Sequence, residues 1–89
     1  MKKLVEVQEV EGEGLTALLG EQVLLFCLNY IYTGKLIGVN SSCVLLGSPS
    51  IVYETGAFST SVFKDAQKLP HDIYVQIPAI ESFGKTSIK

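Results

Sequence analysis

The sequence contains no arginine and no tryptophan among its 89 residues, and only one histidine. Arginine binds phosphate and carboxylate groups through paired hydrogen bonds, so its absence argues against strong recognition of polyanions. Seven lysines stand against nine carboxylates, which gives a net charge of −2 with the histidine neutral. The pI is near 5.2 and there is no basic block. The chain therefore lacks the electrostatic signature of a protein that binds DNA or an acidic membrane.

Cysteine is scarce as well, since Cys27 and Cys43 are the only two and each lies in an apolar run. Two thiols do not make a zinc site without further ligands, and buried reduced thiols are the expected state. No apolar run approaches the roughly 20 residues of a membrane-spanning helix, and the lysines after Met1 precede an acidic stretch instead of the apolar segment of a signal peptide. We therefore expect a cytoplasmic protein without metal or cofactor.

Apolar residues, in contrast, are abundant. Hydrophobic residues make up 47% of the chain and charged residues 18%, with a mean hydropathy of +0.34. A chain of this length forms one small core, which leaves apolar surface uncovered and favours self-association. We predict a single domain over residues 1–89, with a core at 14–83, an N-terminal arm at 1–13 and a long loop at 55–72.

The order of apolar and turn residues predicts a mainly β fold. Residues 22–32 are apolar at both parities, which is typical of a strand buried on both faces. An assembly partner is the expected cover for the second face. The further elements are separated by glycine, proline and polar turns. They are strands at 4–10, 35–39, 43–46, 51–54, 73–77 and 79–83, a helix at 15–19 and a helical turn at 61–68, with a bulge or turn at 47–50.

These elements predict a short N-terminal helix followed by a five-stranded, strongly bent antiparallel barrel. The interior of so small a barrel holds side chains only, so any function belongs to its loops, its edges or an assembly axis. The strands at 51–54 and 73–77 are the expected edges. Exposed edges favour pairing with further copies of the chain.

Residues 20–46 resemble the first sequence motif of the Sm-like family, which includes RNA chaperones and the proteins of splicing rings. The motif is a hydrophobic strand, a turn, a glycine, a leucine, a further glycine or small residue, a hydrophobic residue and a polar turn before an apolar strand. It corresponds here to residues 23–28, a turn at 29–33, Gly34, Leu36, Gly38 and residues 39–46. Residues 74–80 are similar to the second motif. The resemblance implies an Sm-like, SH3-like barrel that forms homo-oligomeric rings.

The same resemblance implies a ligand site at two turns. RNA-binding members have an aspartate where this chain has Asn40, which is followed by Ser41 and Ser42, and many have Arg-Gly where it has Pro78 and Ala79. Asparagine and serine are also simply good turn residues. Because the pI is acidic and arginine is absent, we favour a protein partner or a small polar ligand over RNA.

Two tyrosines are further candidates for ligand binding. Tyr30 and Tyr32 share a strand parity and project from one face. Exposed tyrosines stack on bases or on a nucleotide ring, whereas tyrosines at a strand edge pack with their hydroxyls in water, which is the simpler explanation here.

Catalytic motifs do not occur in the sequence. There is no glycine-rich phosphate loop, no triad order and no paired acid and base, and His71 has no nucleophile beside it. We therefore predict a non-enzymatic, homo-oligomeric binding or scaffold protein.

Two alternative functions stay open. The first is an RNA-binding Sm-like protein in which lysines contact the phosphates; the candidates are Lys35, Lys64, Lys68 and Lys85. The second is a mobile-element protein that binds a host protein through loop 55–72. The chain resembles short uncharacterised bacterial and mobile-element proteins that share the strings Tyr-Thr-Gly-Lys-Leu and Ile-Val-Tyr-Glu-Thr-Gly.

Overall fold

The computed structural model describes residues 14–59 and 62–88, which form one six-stranded antiparallel sheet. The strands are β1 (Gln22–Cys27), β2 (Ile31–Val39), β3 (Cys43–Glu54), β4 (Asp65–Lys68), β5 (Ile73–Gln76) and β6 (Ile80–Lys85). Their order is β4-β3-β2-β1-β6, and β5 also pairs with β3. The mainly β, antiparallel architecture predicted from the sequence is confirmed, with six strands in place of five.

The sixth strand arises because β3 is long and bent. Its first half pairs with β5 and its second half pairs with β4. Two separate short strands therefore lie beside β3 where a single strand would pair with a straight one. At the bend, Ser48 has a φ of 48°, and its amide donates a hydrogen bond to Asp72 Oδ1 at 3.3 Å. Opposite the bend, a Cβ on Gly34 would lie 3.1 Å from the carbonyl oxygen of Gly47. The irregularity predicted at 47–50 is thus a bend within one continuous strand.

Two apolar clusters pack on the opposite faces of the sheet. Val23 and Leu25 of β1 face the first cluster, and Leu24 between them faces the second. All three are buried, so the prediction of a two-sided apolar strand is confirmed for β1. The strand predicted at 22–32 is wrong in extent, however, because residues 28–30 form a turn and β2 begins at Ile31.

The cover of the second face comes from the chain itself. Phe63, from the segment between β3 and β4, and Ile88, which follows β6, pack with Leu24 and Val52. The expectation that an assembly partner covers this face is therefore wrong. Phe63 also removes part of the predicted loop 55–72 from the exposed surface.

Three local predictions also need correction. Residues 15–19 contain a single 3₁₀ turn, Leu15–Leu18, and no α-helix. The predicted helical turn at 61–68 is wrong where the structure describes it, since Asp65–Lys68 form β4. Strand residues 51–54 lie inside the sheet, between β2 and β4, so they are not an edge. The predicted strand at 4–10 lies outside the described residues.

The edge predicted at 73–77 corresponds to β5. In the part of the chain that the structure describes, β5 pairs only with β3, and β6 pairs only with β1. Among the described residues, each of these strands, like β4, therefore has a neighbouring strand on one side only. Within residues 14–59 and 62–88, no helix has the length and apolarity needed to cross a membrane.

Candidate functional site

The two turns singled out in the sequence are adjacent in the structure. The amide of Ile77, in the 3₁₀ turn Ile77–Ala79, donates a hydrogen bond to the carbonyl oxygen of Ser42 at 2.9 Å. A depression of about 520 Å³ lies beside this contact. We call it the turn site, and its lining residues are Ser41, Ser42, Cys43, Tyr74, Gln76, Ile77 and Pro78.

Asn40 shapes the turn between β2 and β3. Its Oδ1 accepts hydrogen bonds from the Ser42 amide at 2.8 Å, the Ser42 hydroxyl at 3.1 Å and the Cys43 amide at 2.8 Å. Its own amide donates to the carbonyl oxygen of Cys43 at 3.0 Å. With its side-chain oxygen engaged in this way, Asn40 positions Ser42 and Cys43, which both line the turn site.

A second opening, the β5 groove, is lined by all four residues of β5. It has a volume of about 440 Å³, and Tyr30, Tyr32, Ile73 and Tyr74 are among the residues that line it. The Tyr30 and Tyr32 rings are tilted by 60°, with centroids 6.2 Å apart. The structure therefore places Tyr30 and Tyr32, the two tyrosines predicted to bind a ligand, side by side. They line the β5 groove and not the turn site, although residues of β5 line both openings.

Tyr74 connects the two openings. It lines both the β5 groove and the turn site, as does Gln76, and it is 71% exposed. Ala79 was predicted beside Pro78 in the turn site, but it lines the β5 groove instead, and its carbonyl oxygen accepts the Leu28 amide at 3.0 Å. Sequence reasoning left Gln76 out because it occupies an ordinary polar position in an alternating strand.

Two ionisable side chains of the β5 groove, Cys27 and Tyr32, have raised pKa values. Burial raises the pKa of the Cys27 thiol, and the negative charge of Glu81 raises it further. Burial also raises the pKa of the Tyr32 hydroxyl, with smaller contributions from Cys27 and Tyr30. A thiol and a phenol with raised pKa values stay protonated at neutral pH. Among the described residues, no Asp, Glu, His, Lys or Arg lines the groove.

The lysines lie elsewhere on the surface. Lys64 pairs with Glu54 at 3.3 Å and Lys85 with Glu21 at 3.1 Å, while Lys35 and Lys68 are exposed on β2 and β4. None of the four lines the turn site or the β5 groove. Among the described residues, no three His, Cys, Asp or Glu side chains form a group that could hold a metal ion.

A third opening lies on the other face of the sheet. This outer groove, of about 280 Å³, is bordered by Leu24, Phe26, Phe58 and Phe83. Phe58 is 59% exposed, and Val62 on the same loop is 61% exposed. The outer groove therefore joins the second cluster to an exposed apolar part of the loop.

Comparison with known proteins identifies the fold. No protein-family model matches the chain, and no curated protein matches it. Among solved structures, it is similar to the Pyrococcus abyssii Sm protein in complex with a uridine heptamer, with a TM-score of 0.60 and 16% sequence identity over 80% of this chain and 90% of that chain. The bent six-stranded sheet of this chain has an Sm-like fold.

Proposed function

We propose that this chain, as a single domain, is a non-enzymatic binding or scaffold protein that assembles into a closed homo-oligomer. The observation that carries the proposal is that, among the described residues, β5 and β6 each pair with one neighbouring strand only, β3 and β1. Because these two strand edges differ, pairing one with the other is head-to-tail. A repeated head-to-tail contact closes into a ring when the rotation between copies permits it.

The turn site is the proposed binding surface of this assembly. Ser41, Ser42 and Gln76 supply hydroxyl and amide groups, and Tyr74 supplies an exposed aromatic face. Such groups recognise small polar ligands or polypeptide backbone without the need for a charge. The absence of lysine from the lining supports a small polar ligand or a protein segment over a polyanion.

Mass determination tests the assembly directly. Size-exclusion chromatography with light scattering, at micromolar concentration, should give a discrete multiple of 9.7 kDa. A 9.7 kDa species alone would refute the closed oligomer, since both edges would then be unpaired in solution.

RNA binding is the second candidate. It is supported by the contact between Ser42 and Ile77, which unites the two turns, and by the likeness to an Sm protein that holds a uridine heptamer. Lysine contacts to phosphates would make the affinity fall steeply as salt is raised. Titration with short U-rich and A-rich oligonucleotides tests this, and no binding at low salt would eliminate RNA as the ligand.

A protein partner bound through the loop at 55–72 is the third candidate, supported by the exposed Phe58, which lines the outer groove, and by the exposed Val62 on the same loop. Large exposed apolar side chains that cluster mark interaction surfaces. The test compares wild-type protein with Phe58→Ser and Tyr74→Glu variants in pull-downs from a bacterial lysate. This candidate requires that a captured protein be lost with the first variant and retained with the second.

A further inference from the structure

The outer groove has an open floor. Gly84 of β6 lies opposite Leu24 of β1, and both residues line the groove. Among the described residues, a Cβ on Gly84 would have no heavy atom within 4 Å outside its two chain neighbours. Phe58, which lines the same groove, is 59% exposed. The groove therefore has room for apolar side chains that the described residues do not supply.

The N-terminal arm at 1–13 carries apolar side chains that suit this space. It lies outside the described residues, and the alternation at 5–8 in its sequence predicts a strand. Val5 and Val7 then share one side of that strand, while Glu6 and Gln8 share the other. Such an arm offers one apolar side to the protein and one polar side to water.

The arm is long enough to reach the outer groove. The described residues begin at Gly14, directly before the 3₁₀ turn Leu15–Leu18, which contacts β6 and packs on the first cluster. Val7 is seven residues away from Gly14, and seven extended residues span up to about 24 Å. The molecule measures 23 Å along its shortest axis. An arm that starts beside β6 can therefore lay Val7 on the opposite face of the sheet.

Charge also favours this occupant. Lys85 is the one charged residue among those that line the outer groove, and the arm carries four glutamates against two lysines. Glu9 has the same parity as Val7 and lies two residues closer to Gly14, so it comes to Lys85 when Val7 lies over Gly84. Exposed ion pairs contribute little to stability. The pair sets the direction of the arm, while the apolar contacts hold it in place.

We propose that the outer groove is filled by Val5 and Val7 of the N-terminal arm of the same chain. The arm then covers Phe58, through which the third candidate function would bind a protein partner, so such a partner has to displace the arm. The contact lies within one chain and does not require the homo-oligomer. An arm whose Glu9 meets Lys85 passes the end of β6, which leaves the side of that strand open.

Two tryptophan reporters in the full chain test the contact, because the chain has no tryptophan of its own. Val7→Trp places the indole on the side that faces the groove, and Gln8→Trp, the matched control, places it on the other side. Packing against the sheet shields an indole from acrylamide, so the quenching constant of Val7→Trp should be at most about half that of Gln8→Trp. The two constants should become equal in concentrated urea. Equal constants in the folded proteins would overturn the proposal.

A further change fills the groove from within. Gly84→Leu, added to the Val7→Trp chain, occupies the open floor, and it should raise the quenching constant at least about twofold. Phe58→Ser removes a wall of the groove without touching its floor, so it should raise the constant in the same direction even if Gly84→Leu fails to fold, which circular dichroism checks.

The same measurement distinguishes the other occupants. Unchanged shielding of Val7→Trp in the folded Gly84→Leu and Phe58→Ser variants would place the arm elsewhere and overturn the proposal. Shielding that was lost on dilution, together with dissociation of a multimer in sedimentation velocity, would assign the groove to the arm of a second copy and overturn the contact within one chain. Shielding that persists in the dilute protein is the expected result.

Discussion

At the residue scale, Asn40 is the clearest case of a side chain that acts by holding a turn. Replacing it with alanine removes the acceptor of the Ser42 and Cys43 amides. The turn is exposed, so water takes over part of this role, and we expect Asn40→Ala to lower the free energy of unfolding by about 0.5–1.5 kcal/mol. Urea denaturation measures this.

Asn40→Asp is the matched control for that change. A carboxylate oxygen accepts the same amide hydrogen bonds, so we expect a free energy of unfolding within about 0.5 kcal/mol of wild type. An alanine variant as stable as the aspartate variant would mean that the backbone alone fixes the turn.

The Cys27 thiol gives a second residue-scale prediction. Burial, and to a lesser extent Glu81, raise its pKa, and only the thiolate reacts with alkylating reagents. In a Cys43→Ser background, Cys27 should therefore be modified slowly at mildly alkaline pH. Glu81→Gln should lower the pKa and speed the modification at a given pH.

The modification rate of Cys27 in the unfolded chain, in concentrated urea, is the control for this measurement. There the burial and the nearby charge are both absent, so the rate should exceed that of either folded protein. Equal rates for the folded wild-type and Glu81→Gln proteins would show that the carboxylate does not act on the thiol.

At the element scale, the second apolar face of the sheet depends on Phe63. This side chain is 8% exposed and packs with Leu24 and Val52. We expect Phe63→Ala to lower the free energy of unfolding by about 3–5 kcal/mol, as for other buried phenylalanines. Phe58→Ala, on the same loop but 59% exposed, should cost less than about 1 kcal/mol. Equal urea midpoints for the two variants would mean that the loop does not stabilise the sheet.

The elements that the sequence predicted are those with a strong apolar pattern. β1 has buried residues at both parities, which the sequence displays directly. The apolar pattern alone missed the turn at 28–30, because Leu28 and Tyr30, 68% and 51% exposed, are apolar and no glycine or proline lies there. The family motif, in contrast, places a turn at 29–33. β4 was missed because all four of its residues are exposed, which leaves no alternation to detect.

Packing between distant segments was beyond local pattern analysis. Phe63 and Ile88 cover Leu24 from far along the chain, and no periodicity encodes such a contact. The meeting of the Asn40 turn with residues 77–79 was expected only through the family resemblance. Tyr74 and Gln76 line both openings, which depends on where the sheet order places β5, beside β3, and not on the sequence of the strand itself.

At the scale of the whole molecule, the last prediction concerns the response of the assembly to salt. The β5 groove has no charged lining residue, and Lys85 on β6 pairs with Glu21 of the same chain. The proposed pairing of β5 with β6 is therefore made mainly by backbone hydrogen bonds and uncharged side chains, with Glu81 the exposed charge on β6 that has no ion pair among the described residues. We expect the sedimentation coefficient to change little as sodium chloride is raised, because backbone pairing is screened less than ion pairs between exposed charges, with sodium sulfate favouring the multimer further. A multimer that dissociated as salt was raised would instead be held by charge pairs between copies, which would place the exposed Lys35 of β2 and Lys68 of β4 in the interface.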